Sequence, residues 1–284
     1  MKPSTNQLIL ENLQRELRDD RIFNYILKDF TTTFMSLGCG NNDVSWGMAL
    51  YLIAEILRAK KLEDAERSVK NFFDRIKFKG NKTIFGLISE GLEERIEIIF
   101  NQIKPHIRST EGNVIDFGCG DGRVAQLLHD RLGLNIEGVD VRSFRAKGVT
   151  ISVKKFDGGK VPVRDKYYEC ALLTNVIHHE ESNEKILKEL SRIVRNKLVI
   201  IETVPEASTR IQAKKDWGRM FLNDTLWNRF FNYADIPVPG KYETPSDWIR
   251  RFKKYGWKVV VSEDLGMDQP TIQDRHHLLV FERR

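Results

Sequence analysis

Val114-Ile115-Asp116-Phe117-Gly118-Cys119-Gly120-Asp121-Gly122-Arg123-Val124 decides the fold, together with Leu134-Asn135-Ile136-Glu137-Gly138-Val139-Asp140-Val141 just beyond it. A short apolar strand ends at an acid, the chain turns through three glycines, and a helix follows with Leu127, Leu128 and Leu132 at helical spacing. Glycine lets a main chain approach a ligand where any Cβ would collide. The second strand ends in Asp140, twenty positions after Gly120, where an acid is placed to accept hydrogen bonds from two ribose hydroxyls. The unit therefore predicts an adenosine-bearing ligand at the C-terminal edge of a parallel sheet. A dinucleotide is disfavoured, because the G-x-G-x-x-G order is not met: Gly122 falls one position early. Asp116 would also repel a pyrophosphate, whereas an ammonium group would be attracted to it.

Outward from this stretch, Ile151-Ser152-Val153 begins a third strand, Cys170 to Thr174 is a fourth and Leu198 to Glu202 a fifth. The spacing predicts an amphipathic helix over 183–194 with Ser182 as its N-cap. A further helix over 248–255 precedes strands at 257–261 and 278–281. Seven strands interleaved with helices define an α/β fold, a mostly parallel sheet covered on both faces. Residues 1–109 read as helix throughout, with apolar positions such as Leu13, Ile26, Phe30, Ile53 and Phe73 recurring at helical spacing. Pro105 and the Ser109-Thr110-Glu111-Gly112 stretch mark the boundary. The expected organisation is a helical N-terminal domain over 1–109 and an α/β domain over 110–284, with a helical insertion at about 205–242.

Composition sets limits. The 284 residues are 41% hydrophobic and 30% charged, a balance that suits a globular protein with a real core. Three cysteines, Cys39, Cys119 and Cys170, exclude a disulfide scaffold and suggest a reducing compartment. No apolar run reaches the roughly 18 residues of a membrane span, and the N-terminus lacks a secretory apolar core, so no membrane partner and a cytoplasmic location are expected. The net charge of +6 permits an RNA partner without demanding one, and nothing here sets an oligomeric state. The second GCG, at Gly38-Cys39-Gly40, is followed by a long helix and no acid-ended strand, so it reads as a loop between helices.

The strand, acid, G-x-G-x-G, helix, strand and acid together resemble motifs I and II of the class I (Rossmann-like) S-adenosylmethionine-dependent methyltransferases, in their methyltransferase-11, small-molecule form. Later segments continue the likeness over about 113–284. They are Lys155 to Gly159, Val161 to Asp165, Asn175-Val176-Ile177-His178-His179 after strand 4, Lys197 to Thr203, and Glu243 through Trp257. The resemblance implies S-adenosyl-L-methionine as cofactor and S-adenosyl-L-homocysteine as product. It assigns cofactor binding to Asp116, Gly118, Cys119, Gly120, Gly122, Asp140, Val141, Asp157, Gly158 and Asn175. In this family the last strand runs antiparallel, so at most one of His276 and His277 would face the substrate.

His178 and His179 follow strand 4, where the methyl group must be delivered. They are candidates for general base or substrate-orienting group, since an imidazole can take a proton near neutral pH; the alternative is that they are simply packed beneath the loop. No metal site is expected, because adjacent histidines diverge and no Cys or carboxylate cluster completes one. Cys119 and Cys170 read as small buried residues.

The 205–242 segment carries Trp217, Phe221, Trp227, Phe230, Phe231 and Tyr233 among Arg210, Lys214, Lys215, Arg219 and Arg229. It could pack on a core, cover an acceptor site, or stack RNA bases. A small-molecule acceptor is the first expectation and an RNA base the second. The D/N/S-P-P-Y/F run of exocyclic-amine methyltransferases is replaced here by Thr174-Asn175-Val176-Ile177. A catalytically silent binding protein is a third possibility, and a nicotinamide-dependent dehydrogenase fails on the glycine spacing.

Overall fold

The computed structural model describes residues 4–142, 145–180, 182–206, 210–231, 236–267 and 274–283, and divides the chain into two compact units. The first unit takes residues 1–95, 205–240 and 267–274, and the second takes 96–204, 241–266 and 275–284. The boundary thus falls at 95/96 rather than near 109, and residues 205–240, expected as an insertion in the α/β domain, cluster with the N-terminal helices. No helix among the described residues is long and apolar enough to cross a membrane.

The first unit contains α1 (Thr5–Glu16), α2 (Asp20–Ser36), α3 (Asn42–Arg58), α4 (Leu62–Arg75), the first half of α5 (Ile84–Ile107) and α8 (Arg210–Thr225), which runs on into a π-helical turn at Leu226–Phe231. Three starts are fixed by side-chain caps: Ser4 accepts from the Gln7 amide, Asp19 from Arg21 and Ile22, and Asn41 from Val44. The Gly38-Cys39-Gly40 segment is the turn between α2 and α3, as its context predicts.

The core of this unit is aromatic. Trp227 and Phe231 lie at 5.8 and 5.9 Å from Phe30, and Phe231 also meets Phe34 and Phe73. Such ring pairs add to the apolar area that they bury. Phe231→Ala is expected to lower unfolding free energy by about 3–5 kcal/mol through the cavity it opens. The shift should appear in the guanidinium midpoint with an unchanged slope, and a loss under about 1 kcal/mol would contradict this account of the core.

The second unit holds a seven-stranded sheet in the order β3-β2-β1-β4-β5-β7-β6. The strands are β1 (Asn113–Phe117), β2 (Asn135–Asp140), β3 (Val153–Lys155), β4 (Tyr168–Thr174), β5 (Val194–Thr203), β6 (Trp257–Met267) and β7 (Arg275–Arg283). Strands β3 to β5 pair in parallel, and β7 runs antiparallel to β5 with Glu202 opposite His277 and Thr203 opposite His276. The chain order reverses at β1, which has β2 on one side and β4 on the other. Ligands of open α/β sheets bind outside the carboxyl ends of the strands at such a switch point.

Alternation along the strands buries both faces. Ile115, Ala171, Leu173, Leu198 and Ile200 pack under α7 (Asn183–Ile193) and α9 (Pro245–Lys253) through Ile186, Leu190, Trp248 and Phe252. Val114, Cys170, Leu172, Val199 and Ile201 pack under α6 (Arg123–Leu132) and the end of α5 through Ala125, Leu128, Ile103 and Ile107. Burial of Ile103 and Ile107 explains why α5 continues past Pro105, where a break is expected: the apolar contacts outweigh one missing backbone donor near a helix end. Ser182 precedes α7 but makes no side-chain cap. The helix expected over 248–255 starts earlier, at Pro245, because the Thr244 hydroxyl accepts from the Asp247 amide and proline fits a first helical position.

Candidate functional site

The candidate cofactor-binding residues, with His178, His179 and His276, are brought to the carboxyl edge of the sheet around the β1 switch point. Gly118, Gly120 and Gly122 have φ of 77°, 55° and 84°, so all three lie in the left-handed region. Their surroundings differ. A Cβ on Gly118 would lie 2.6 Å from Val176 Cγ2, and one on Gly122 would lie 3.0 Å from Val153 Cγ2. A Cβ on Gly120 would meet nothing within 4 Å. Gly118 and Gly122 therefore let neighbouring loops close down, while Gly120 keeps one side of the turn open. Cys119 turns its side chain inward: its sulfur lies 2.6 Å from where a Cβ of Gly138 would stand, so the residue can offer a ligand only its backbone.

The acids divide the electrostatics. Asp140 is 9% exposed and binds two backbone amides, Gly120 through Oδ2 at 2.8 Å and Arg142 through Oδ1 at 2.9 Å. It ties the glycine turn to the loop after β2, and each oxygen keeps capacity for a second donor. Asp116 is 1% exposed, and neither of its oxygens has a hydrogen-bond partner. Burial, then the charges of Asp140 and Asp121, push its carboxyl up to about 7. A buried carboxylate without a donor is costly, and an ammonium group would supply both the charge and the hydrogen bonds.

On the adjoining loop, Phe156 packs edge-on against Phe117, Asp157 accepts the Gly159 amide at 2.8 Å, and Gly158 has φ 78°. Val141 is 47% exposed beside Gly158, an apolar surface at the end of β2.

Asn175 follows β4 with φ 55°. Its side chain is held by the sheet: Oδ1 accepts from the Thr203 hydroxyl at 3.4 Å, and Nδ2 lies 3.3 Å from His276 Nε2. Of the adjacent pair on β7, His276 is the one turned to this edge. His277 points to the opposite face and bonds Ser262, and burial holds its pKa below the ordinary value.

His178 and His179 sit in a 3₁₀ turn, Ile177–His179, with their rings 4.1 Å apart. His178 is 3% exposed, and its Nδ1 lies 2.6 Å from Glu202 Oε2. Glu202 Oε1 accepts from the Val176 and Ile177 amides at 2.8 and 2.7 Å. Burial alone would push the Glu202 carboxyl up, but His178 and these two amides outweigh it and hold the group below its usual range, so it stays ionised. Tyr242 covers the other side of the imidazole, 5.6 Å away. Glu202 carries no site role in the sequence reading. The only signal for it is an acid closing the apolar run Leu198-Val199-Ile200-Ile201.

The chain belongs to a methyltransferase domain family, whose model matches residues 88–262, and it is a class I S-adenosylmethionine-dependent methyltransferase. It is 24% identical over 168 residues to an uncharacterized protein of Methanocaldococcus jannaschii, covering 58% of this chain and 74% of that one. Among solved structures, it is similar to geranyl diphosphate C-methyltransferase from Streptomyces coelicolor, with a TM-score of 0.51, 11% identity, and 70% and 84% of the two chains covered. It is also similar to a chain from the complex of the Haloferax volcanii Trm112 methyltransferase activator with a methyltransferase, with a TM-score of 0.50, 17% identity, and 68% and 91% covered. At these identities the solved structures speak to the fold alone.

The residues present fit S-adenosylmethionine. Asp116 offers a buried carboxylate for the ammonium, Gly120 an open side for close backbone approach, and Asp140 spare acceptor capacity for ribose hydroxyls. Three carboxylates around the turn, those of Asp116, Asp121 and Asp140, suit a cation better than a phosphate.

Proposed function

We propose that the enzyme methylates a small-molecule acceptor. In this scheme Asp116 holds the cofactor ammonium, and the backbone of Gly118, Cys119, Gly120 and Gly122 lines its amino-acid part. Asp140 binds the ribose, Val141, Asp157 and Gly158 border the adenine, and Asn175 contributes main chain. S-adenosylmethionine supplies a methyl group on a sulfonium whose departure leaves a neutral thioether. The protein's task is to hold the acceptor in line and to manage its proton. His178 and His179 are the candidate catalytic side chains.

One observation carries the choice of a small molecule over RNA. The described arginines and aromatics of the 205–240 segment that would read nucleic acid are committed inside the first unit. Arg219 is 5% exposed and pairs with Asp216 at 2.7 Å, and Arg229 is 7% exposed and pairs with Glu66 at 2.9 Å. Trp227, Phe230 and Phe231 are buried as well. Tyr233 lies outside the described residues, as do the side chains of Arg210, Lys214 and Lys215. Buried and paired side chains neither contact phosphates nor stack on bases.

The test is to incubate the protein with methyl-labelled S-adenosylmethionine and a cell extract split into RNA and metabolite fractions. Label is expected in the metabolite fraction. Label confined to RNA would replace this proposal with an RNA methyltransferase.

A further inference from the structure

We infer that the first unit carries a binding site of its own, in which Asp29, Asp274 and Asn223 receive the primary ammonium group of a small organic molecule. The site goes beyond the methyl-transfer proposal and does not rest on it.

The argument starts from Asn223 on α8, whose side chain is fully buried. Its Nδ2 donates to Asp29 Oδ2 on α2 at 3.0 Å and to Asp274 Oδ1 at 3.4 Å. Both N–H groups of the amide are thereby spent on two carboxylates, and those bonds fix which end of the amide is nitrogen. Its Oδ1 has no hydrogen-bond partner among the described residues. The neighbouring cation is committed to another acid. Arg219 holds Asp216 through two bonds, at 2.7 and 2.9 Å, and donates to the Tyr25 hydroxyl at 3.0 Å. Its Nη1 lies 4.0 Å from Asp274 Oδ1.

The cluster is therefore rich in acceptors and short of donors, whereas buried polar groups in folded proteins are normally satisfied. Burial pushes the Asp29 carboxyl up to about 7, and the charges of Asp274 and Glu206 add to this against the Asn223 bond and Arg219. The complementary group brings a positive charge together with several N–H bonds. A primary ammonium has three donors and no acceptor, one donor each for Asp29, Asp274 and the Asn223 carbonyl. A divalent metal ion suits the cluster less well. It takes six or more oxygens, and here it would also face the Asn223 NH₂ and the Arg219 guanidinium. An anion would be repelled by both acids. The way in lies along α2, where Tyr25 and Asp29 share a face one turn apart and are both only half-buried. The ammonium enters head first, and its carbon chain stays beside Tyr25.

The probe is n-butylamine, which is protonated at pH 8 as a lysine side chain is. It is titrated into the ¹⁵N-labelled full chain at constant ionic strength. The Asn223 side-chain NH₂ signals, identified by their loss in Asn223→Ser, report on the site itself. A saturable shift is expected at about millimolar concentration, the range that so small a fragment reaches. At the same concentrations 1-butanol has no charge, tetramethylammonium has no N–H, and calcium chloride supplies a metal ion. All three are expected to leave the signals in place. Asp29→Asn and Asp274→Asn each remove one charge and keep the shape, and each is expected to weaken butylamine binding at least about tenfold. Asp29→Asn should melt no lower than the parent at pH 8, because it replaces a carboxylate that burial disfavours. Asp116→Asn should bind the probe as the parent does, since that carboxylate belongs to the other unit. Failure of the cofactor site and failure of this one are thus told apart.

No saturable shift with butylamine overturns the inference without any variant, and the two acids then hold only a proton between them. An equal response to butanol or tetramethylammonium overturns it as well, since neither combines charge with N–H donors. A response to calcium alone replaces the ammonium site with a metal site. Folded D29N and D274N that both bind butylamine within about twofold of the parent remove the two carboxylates from the site, and a signal lost in D116N assigns the binding to the cofactor pocket instead.

Discussion

At pH 8 the Asp116→Asn variant is expected to melt at a higher temperature than the parent chain while binding S-adenosylhomocysteine at least 100-fold more weakly. Both effects come from one carboxylate that is 1% exposed and has no hydrogen-bond partner. Burial, with Asp140 and Asp121 adding to it, raises its pKa from 3.8 to about 7. The folded state therefore keeps a proton that the unfolded chain has already released, and stability falls as pH rises from about 4 to about 7. At about 1.4 kcal/mol per pH unit the loss amounts to about 4 kcal/mol, and it is complete above pH 7. A neutral asparagine of the same shape escapes much of it. The gain in melting temperature should be clear at pH 8 and absent at pH 4, and equal melting temperatures at both would show that Asp116 is not a strained charge.

In the proposed site the same charge would serve the ligand. An ammonium deprived of a buried partner loses about 3–5 kcal/mol, which is the origin of the weakened binding. Parent affinity should also drop about tenfold per pH unit below 7, where Asp116 must first release its proton, and D116N should lack that dependence. Calorimetric titrations at pH 6, 7 and 8 separate the two proteins.

What could be read from the sequence was local. The strand–glycine–helix unit needs only neighbouring residues, and β1, the turn and α6 lie where the pattern puts them. The cap of α9 was equally legible in principle, as Thr244-Pro245 is a start signal, yet the apolar positions drew the expected helix toward Trp248. Contacts between distant segments left no local trace. Glu202 reaches His178 across 24 positions, Asn175 meets His276 across 101, and Phe30 packs on Trp227 across 197. That last contact is why 205–240 looked like an insertion into one domain and clusters with the other: composition shows that the segment is aromatic, not which aromatics it meets. Ser182 errs the other way. Its identity and position suit a cap, but backbone angles of −120° and 88° place it outside the geometry in which the hydroxyl reaches the helix amides.

Alanine at Gly118 and at Gly120 should separate folding from binding, although both positions belong to one five-residue turn. Each has a positive φ, so each alanine costs about 1–2 kcal/mol in backbone conformation. Gly118→Ala adds a collision, since its Cβ would stand 2.6 and 2.7 Å from the two γ-carbons of Val176. That loop is itself anchored through Val176 and Ile177 to Glu202, so it cannot retreat without breaking buried hydrogen bonds. A total stability loss above about 3 kcal/mol is expected for G118A, measured by guanidinium unfolding. Gly120→Ala meets no neighbour within 4 Å and should lose only the conformational part. Its methyl group instead enters the open side of the turn, where the proposed site has the cofactor approach the main chain, and S-adenosylhomocysteine affinity is expected to fall about 100-fold. Adding Val176→Ala should restore part of the stability of G118A, because the two changes share one contact, and should leave G120A unimproved. If G120A bound S-adenosylhomocysteine as tightly as the parent, the ligand would have to lie elsewhere than against this turn. If V176A failed to rescue G118A, the contact between the two loops would not be what the glycine at 118 is for.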